Sequence, residues 1–293
     1  MPTPTLPLER SRTAGPAPAG DAVIFEDVRL AFDQKVVLDG ISFRLACGET
    51  KAIFGVAGAG KSTILKLTLG LLRPDSGRIL VLGQDVTAMR EQELFDLRRK
   101  LGMVFQESAL FDSLTVRDNV AFRLLEEGDV AEEEMDRRVR EALSFVELEH
   151  TVDMLPSELS GGMRRRVAIA RAIITQPELL LYDSPTGGLD PVTSTTIVEL
   201  IVKQRDVYKT SALLVSHRLQ DAFTMATHSF DRATNHMQPL PPGAHTEVPI
   251  TFLVLRDGKV IFDGDLQALA QSRDRRSPLP FVLPRPDDKN ARA

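Results

Sequence analysis

The chain has almost no cysteine, no tryptophan and no long apolar run. Cys47 is the single cysteine among 293 residues, so no internal disulfide can form and a reducing compartment is expected. Its expected role is that of a small buried residue at a strand end. No apolar run approaches the roughly 18–20 residues of a membrane span, so work at a membrane would require a docked partner. The N-terminus, Met1-Pro2-Thr3-Pro4 onward, has neither a basic start nor an apolar core and does not read as a signal peptide. A basic excess is missing too. Lys and Arg number 36 against 41 Asp and Glu, a net charge of -5, which argues against a general nucleic-acid-binding surface and predicts no nucleic-acid partner. What is present, 43% hydrophobic and 26% charged residues, suffices for one substantial core with a smaller satellite lobe.

The order of elements can be sketched from the pattern. Residues 1–20, rich in Pro, Ala, Gly and Thr, are expected to be disordered. Strand-like alternation runs over 23–32. Val37-Leu38 with residues 41–45 reads as a second strand after a turn at Asp39-Gly40. Residues 51–54 read as a buried strand and 78–82 as a short one. From Glu91 to about Ser157 the pattern becomes mainly helical and charged, with Val130, Met135, Val139, Leu143 and Val146 near helical spacing. The apolar runs 179–182 and 211–215 alternate with helices, which points to a parallel sheet covered on both faces. Residues of about 233–250 read as a Pro-containing irregular stretch. Residues 251–255 and 259–262 flank Asp257-Gly258, a hairpin on a type I′ turn.

One stretch carries chemistry on its own. Gly55-Val56-Ala57-Gly58-Ala59-Gly60-Lys61-Ser62-Thr63 follows a strand, precedes a helical run, and fits the phosphate-binding pattern G-x-x-x-x-G-K-[ST]. Its glycines allow the backbone to wrap a phosphate, and amide N–H groups and the N-terminus of the next helix supply positive charge. Lys61 can reach the β- and γ-phosphates, and the Ser62 hydroxyl is a Mg²⁺ ligand. A nucleotide, held with Mg²⁺, is the expected ligand.

A second loop narrows the class. Leu159-Ser160-Gly161-Gly162-Met163-Arg164-Arg165-Arg166 precedes an Ala-rich helical run. Ser160 reads as an N-cap, with Gly161 and Gly162 leaving amide N–H groups free at a helix start, a second anion site. With this loop the chain resembles the nucleotide-binding subunit of ATP-binding-cassette (ABC) proteins over about residues 22–265. The resemblance implies an α/β fold of P-loop NTPase (RecA-like) type: a mostly parallel sheet core, an antiparallel β edge subdomain and an inserted α-helical subdomain. It also implies a homodimer in which Ser160, Gly161 and Gly162 of one chain meet the γ-phosphate on the P-loop of the other.

Further residues follow in the family's order. Phe32 matches the aromatic that stacks on adenine, an interaction of roughly 1–3 kcal/mol, although a core Phe on an alternating strand is a rival reading. Gln106 matches the Q-loop residue that meets Mg²⁺ or the attacking water. Asp183, ending an apolar strand, matches the Mg²⁺-holding aspartate. Gly188-Leu189-Asp190 matches the loop at the dimer interface, and His217 the switch histidine that contacts the γ-phosphate. The cofactor set is thus Phe32, residues 55–63, Gln106, Ser160, Gly161, Gly162, Asp183 and His217, with Ser62, Gln106 and Asp183 toward the metal. Catalytic roles fall to His217, Gln106 and the position of Ser184.

Ser184 departs from the pattern. The family has Glu there as the general base, and a serine hydroxyl cannot take that proton near neutral pH. A positioned base contributes about 10²–10⁴-fold. Three readings stay open: slow hydrolysis by positioning and electrostatics; a substitute carboxylate such as Glu107 or Asp190; or an ATP-dependent clamp without turnover. Slow or rescued hydrolysis, the first two, is preferred over the clamp because the other contact residues are intact.

The run from Val104 to Val120, and Met163 with the three arginines after it, resemble the ATPase subunits of Mla/MCE-type lipid transporters. That resemblance implies an ATP hydrolase bound to integral membrane permease subunits, an MCE-type lipid-binding partner, and a cytoplasmic place on the inner face of the membrane. Leu110, Phe111 and Leu114 would then form either an apolar permease contact or packing within the helical lobe. The expected division is a disordered segment 1–20, a nucleotide-binding domain 21–268 with its helical subdomain near 89–172 and an insertion near 233–250, and a tail 269–293.

Overall fold

The computed structural model describes residues 20–272 apart from 129 and 242; the expected disordered segment, and the tail beyond 272, lie outside the described residues. Two long strands open the fold, β1 (Asp21–Phe32) and β2 (Lys35–Ala46), paired antiparallel with Phe25 opposite Phe43. The two rings stack at 4.6 Å. The chain reverses at Asp33-Gln34, not at Asp39-Gly40 as expected. Gly40 instead lies inside β2. Strands β4 (Ser76–Val81) and the short β5 (Gln84–Asp85) complete a four-stranded antiparallel sheet in the order β2-β1-β4-β5.

Beside it stands the main sheet. Its members are β3 (Thr50–Gly55), β6 (Leu101–Val104), β7 (Leu179–Asp183), β8 (Ser211–Val215), β11 (Ile250–Arg256) and β12 (Lys259–Asp265), in the order β12-β11-β3-β8-β7-β6. All neighbours pair parallel except β11 with β12. The β11–β12 hairpin turns at Asp257-Gly258, both with positive φ (51° and 73°) as a type I′ turn requires. The central strands β3, β7 and β8 are nearly continuous buried runs, the pattern of a sheet covered on both faces. The fold is α/β, a mostly parallel six-stranded sheet beside an antiparallel one, as expected.

Helices cover both faces. Helix α1 (Lys61–Thr68) leaves β3, and α2 (Glu91–Arg98) precedes β6. The helical lobe comprises α3 (Val116–Glu127), α4 (Glu132–Phe145) and α5 (Gly161–Ile173), with Met135, Val139, Leu143 and Phe145 of α4 buried. Strand β6 interrupts the segment expected to be mainly helical. Helices α6 (Pro191–Tyr208) and α7 (Leu219–Thr227) flank β8. Strands β9 (His228–Asp231) and β10 (His236–Pro239) form a hairpin, so the stretch expected to be irregular has regular structure at its start. Helix α8 (Leu266–Gln271) follows β12. Cys47 is half-buried just past β2 rather than deeply buried. Among the described residues no helix is long and apolar enough to cross a membrane.

Candidate nucleotide-binding and hydrolysis site

The site forms where the parallel strands end. The loop after β3 enters α1 through Gly60, whose φ of 92° is left-handed and which makes no side-chain cap. A Cβ at Gly60 would lie 2.5 Å from the Leu38 side chain, so glycine is required by both backbone and packing. The first amides of α1 are thereby left without a side-chain partner, the arrangement that attracts an anion. Lys61 is only 4% exposed. Its ammonium donates to the carbonyls of Gly55 and Val56, each at 2.9 Å, which curls the loop around it. Burial pushes the Lys61 ammonium below its ordinary value and the charge of Asp183 opposes the shift.

Asp183 at the end of β7 receives a hydrogen bond from the Ser62 hydroxyl at 3.1 Å. His217 is exposed one residue past Ser216, at the exit of β8. Its imidazole is held below its ordinary value by burial and by Lys61, with Asp183 opposing. Lys61, Ser62, Asp183 and His217 therefore share one electrostatic neighbourhood. Gln106 is exposed just past β6, with its Cγ beside Gly187. Phe32 is 47% exposed, so the core-residue reading fails and its ring is available for stacking.

Ser184 adopts a left-handed conformation (φ 47°), is 2% exposed, and its hydroxyl is buried without a hydrogen-bond partner. Its amide donates to Val215 at 2.9 Å. Arg165, on α5, donates to the carbonyls of Phe105 (3.2 Å), Ser184 (3.3 Å) and Gly187 (3.4 Å). One guanidinium thus links the Gln106 loop to the Ser184 turn. Burial pushes Arg165 below its ordinary value, and Glu107 partly restores it. Arg171 on the same helix donates to Ser108 and Ala109 carbonyls, both at 2.7 Å, where those residues have positive φ. Arg165 is the middle of the three consecutive arginines 164–166; its neighbours bond elsewhere, Arg164 to the Leu159 carbonyl and Arg166 to that of Val146.

Ser160 caps α5 by accepting from the Met163 amide at 3.2 Å, as expected. A Cβ on Gly161 would make only ordinary contact with Leu189, 3.9 Å away, but one on Gly162 would overlap the Thr193 methyl, so Gly162 answers to packing against α6. No described hydrogen bond or ion pair joins Ser160 to the Lys61 neighbourhood within this chain. Asp190 caps α6: its carboxylate accepts from the Thr193 amide (3.0 Å) and hydroxyl (2.5 Å), which hold the carboxyl below its ordinary value. Leu110 packs on the core, whereas Phe111 is 42% exposed with its ring 4.5 Å from that of Phe122.

Residues 38–187, which hold the P-loop, the Ser160 loop and Asp183, match the family model described as ABC transporter. The chain belongs to the ABC transporter family. The cassette is 34% identical over 242 residues, 83% of each chain, to the intermembrane phospholipid transport system ATP-binding protein MlaF of Haemophilus influenzae. It is 38% identical to protein TRIGALACTOSYLDIACYLGLYCEROL 3, chloroplastic, of Arabidopsis thaliana, over 81% of this chain and 67% of that one. Its fold matches the dimeric ATP-binding cassette MJ0796, solved in a post-hydrolysis state with ADP and Pi, with TM-score 0.69 and 28% identity over 83% of this chain and 98% of that one. The cassette is an ATP-binding subunit and an ATP hydrolase of the ABC type.

Proposed function

We propose that this cassette hydrolyses ATP to drive phospholipid or related lipid movement through a separate membrane permease, working as a homodimer on the cytoplasmic face of the membrane. The neighbourhood of Lys61, Ser62, Asp183 and His217 carries the nucleotide part of the reading. The likeness to MlaF, whose name places it in an intermembrane phospholipid transport system, supports the substrate class. An MCE-type lipid-binding partner beyond the permease belongs to the same reading. A second copy enters because no described hydrogen bond or ion pair joins the capped start of α5 to the Lys61 neighbourhood of its own chain, while the relative of known structure is dimeric.

Each residue has a stated task. Lys61 and the uncapped amides of α1 hold the β- and γ-phosphates, and Phe32 lies against the adenine. The Ser62 hydroxyl and Asp183 carboxylate, 3.1 Å apart, are hard oxygen donors that fit Mg²⁺, which when bound neutralises phosphate charge; Gln106 completes that side. A neutral imidazole at His217 can accept a hydrogen bond from the attacking water or donate one to the γ-phosphate. Of the substitute carboxylates, Asp190 has both oxygens committed to Thr193. Glu107, exposed beside Gln106, stays free to assist.

Phosphate release by the full chain with MgATP tests the reading, with Lys61→Ala as the blank and Ser184→Glu as the restored base. Native release above the blank, rising by about 10²–10⁴-fold in Ser184→Glu, supports slow hydrolysis. Native release equal to the blank, with Ser184→Glu active, would overturn it in favour of an ATP-dependent clamp.

A further inference from the structure

Three segments that meet the candidate site are tied to one another by hydrogen bonds among their own side chains. The turn after β7 supplies Thr186, 2% exposed, whose hydroxyl donates to the Asp221 carboxylate at 2.5 Å. Asp221, 6% exposed on α7, also lies 3.6 Å from the Arg218 guanidinium, and its amide donates to the Arg218 carbonyl at 3.2 Å. Arg218 then reaches the other way and donates to the Ser194 hydroxyl on α6 at 2.5 Å. Ser194 is buried and donates to the Leu189 carbonyl at 3.4 Å, in the loop before the Asp190 cap. The Arg218 amide is itself fixed by the Ser216 hydroxyl at 3.0 Å.

His217 sits between Ser216 and Arg218, and both of its neighbours are anchored while its own ring is exposed. A buried polar network whose members are mutually bonded rigidifies what it connects. Burial pushes the Asp221 carboxyl up from its ordinary value, and the Thr186 hydrogen bond and Arg218 charge oppose that shift. The cost of burying Asp221 is thus offset by Thr186 from the turn after β7 and by Arg218 at the start of its own helix.

We propose that Arg218 and Asp221 are positioning residues for hydrolysis: through Ser194 and Thr186 they lock the His217 loop to the Ser184 turn and to the loop preceding α6. The three segments then move as one unit, and His217 is presented to the γ-phosphate in a fixed place. The inference rests on the reading that His217 faces the nucleotide.

The test uses the full chain and steady-state MgATP hydrolysis for Arg218→Ala, Ser194→Ala, their double variant, Arg218→Lys and His217→Ala. Misplacement of a group at the reacting centre costs about ten- to a hundredfold in rate. Arg218→Ala and Ser194→Ala should each lower kcat by about that factor with KM for ATP unchanged. The double variant should be no worse than the poorer single, as members of one unit behave. Arg218→Lys, which keeps a donor within reach of Ser194, should recover most of the rate. Amide hydrogen exchange of the nucleotide-free chain gives a readout independent of turnover: Arg218→Ala should speed exchange in residues 184–194 as well as 216–221. Faster exchange confined to 216–221, or additive losses in the double variant, would overturn the proposal. If His217→Ala keeps the native rate, the underlying site reading fails. If only His217→Ala is impaired, the site stands and the lock falls.

Discussion

Helices α1 and α5 both begin at glycine-rich loops, yet their first turns are finished differently. Helix α1 starts at a left-handed Gly60 with no side-chain cap, and Lys61 is buried against its own loop carbonyls. Helix α5 starts at Ser160, whose hydroxyl already satisfies the Met163 amide, with Gly162 pressed against Thr193. The first start has no side-chain cap, and the second has one amide capped by the Ser160 hydroxyl. The difference is the one the proposed function calls for, in which the P-loop holds a nucleotide within one chain and the Ser160 loop meets it from a second copy.

Substitutions can break or sharpen that contrast. The largest effect is expected from Lys61→Ala, which should abolish phosphate release and ATP retention together, measured by radiolabelled ATP filter binding and a phosphate assay. Gly162→Ala comes next. Its new methyl would meet the stiff Thr193 side chain, and relief of that overlap should cost about 1–3 kcal/mol of stability, read as a lowered denaturant midpoint, while ATP binding to the single chain persists. Ser160→Ala should remove about 1 kcal/mol of helix capping and reduce turnover, again without weakening ATP binding by the isolated chain. A loss of ATP binding by single chains in either α5 variant would contradict the contrast.

The smallest effect concerns pH. His217 is held below its ordinary value of about 6.5. The unfolded chain therefore takes up this proton at higher pH than the fold does, and stability present at neutral pH is lost as pH falls through that range. His217→Gln should flatten this part of the Tm-against-pH curve between about pH 7 and 5, measured without nucleotide. A curve unchanged by the substitution would show that burial and Lys61 together do not hold His217 down as the structure indicates.

What could be read in advance was whatever is coded locally. The P-loop, the Asp183 strand and the Asp257-Gly258 hairpin each lie within a short window, and each window contains its own reason. The reversal at Asp33-Gln34 was missed because Asp39-Gly40 carries the same signal: a left-handed glycine serves a turn and an irregularity within a strand equally well. Strand β6 has only four residues, and its identity comes from pairing with β7 rather than from its own pattern. The links of Arg165 to Phe105 and of Thr186 to Asp221 cross 60 and 35 residues of chain, and no window holds both ends. The burial of Ser184 was likewise invisible. Its substitution stood out by type, whereas its enclosure depends on the turn that β7, β8 and α5 build around it.

The 2.4 Å between a would-be methyl on Gly162 and Thr193 has a mechanical meaning. Helices α5 and α6 mesh there with no slack, like gear teeth cut to full depth. A displacement that reaches the start of α5 is therefore expected to press on Thr193, three residues past the Asp190 cap of α6.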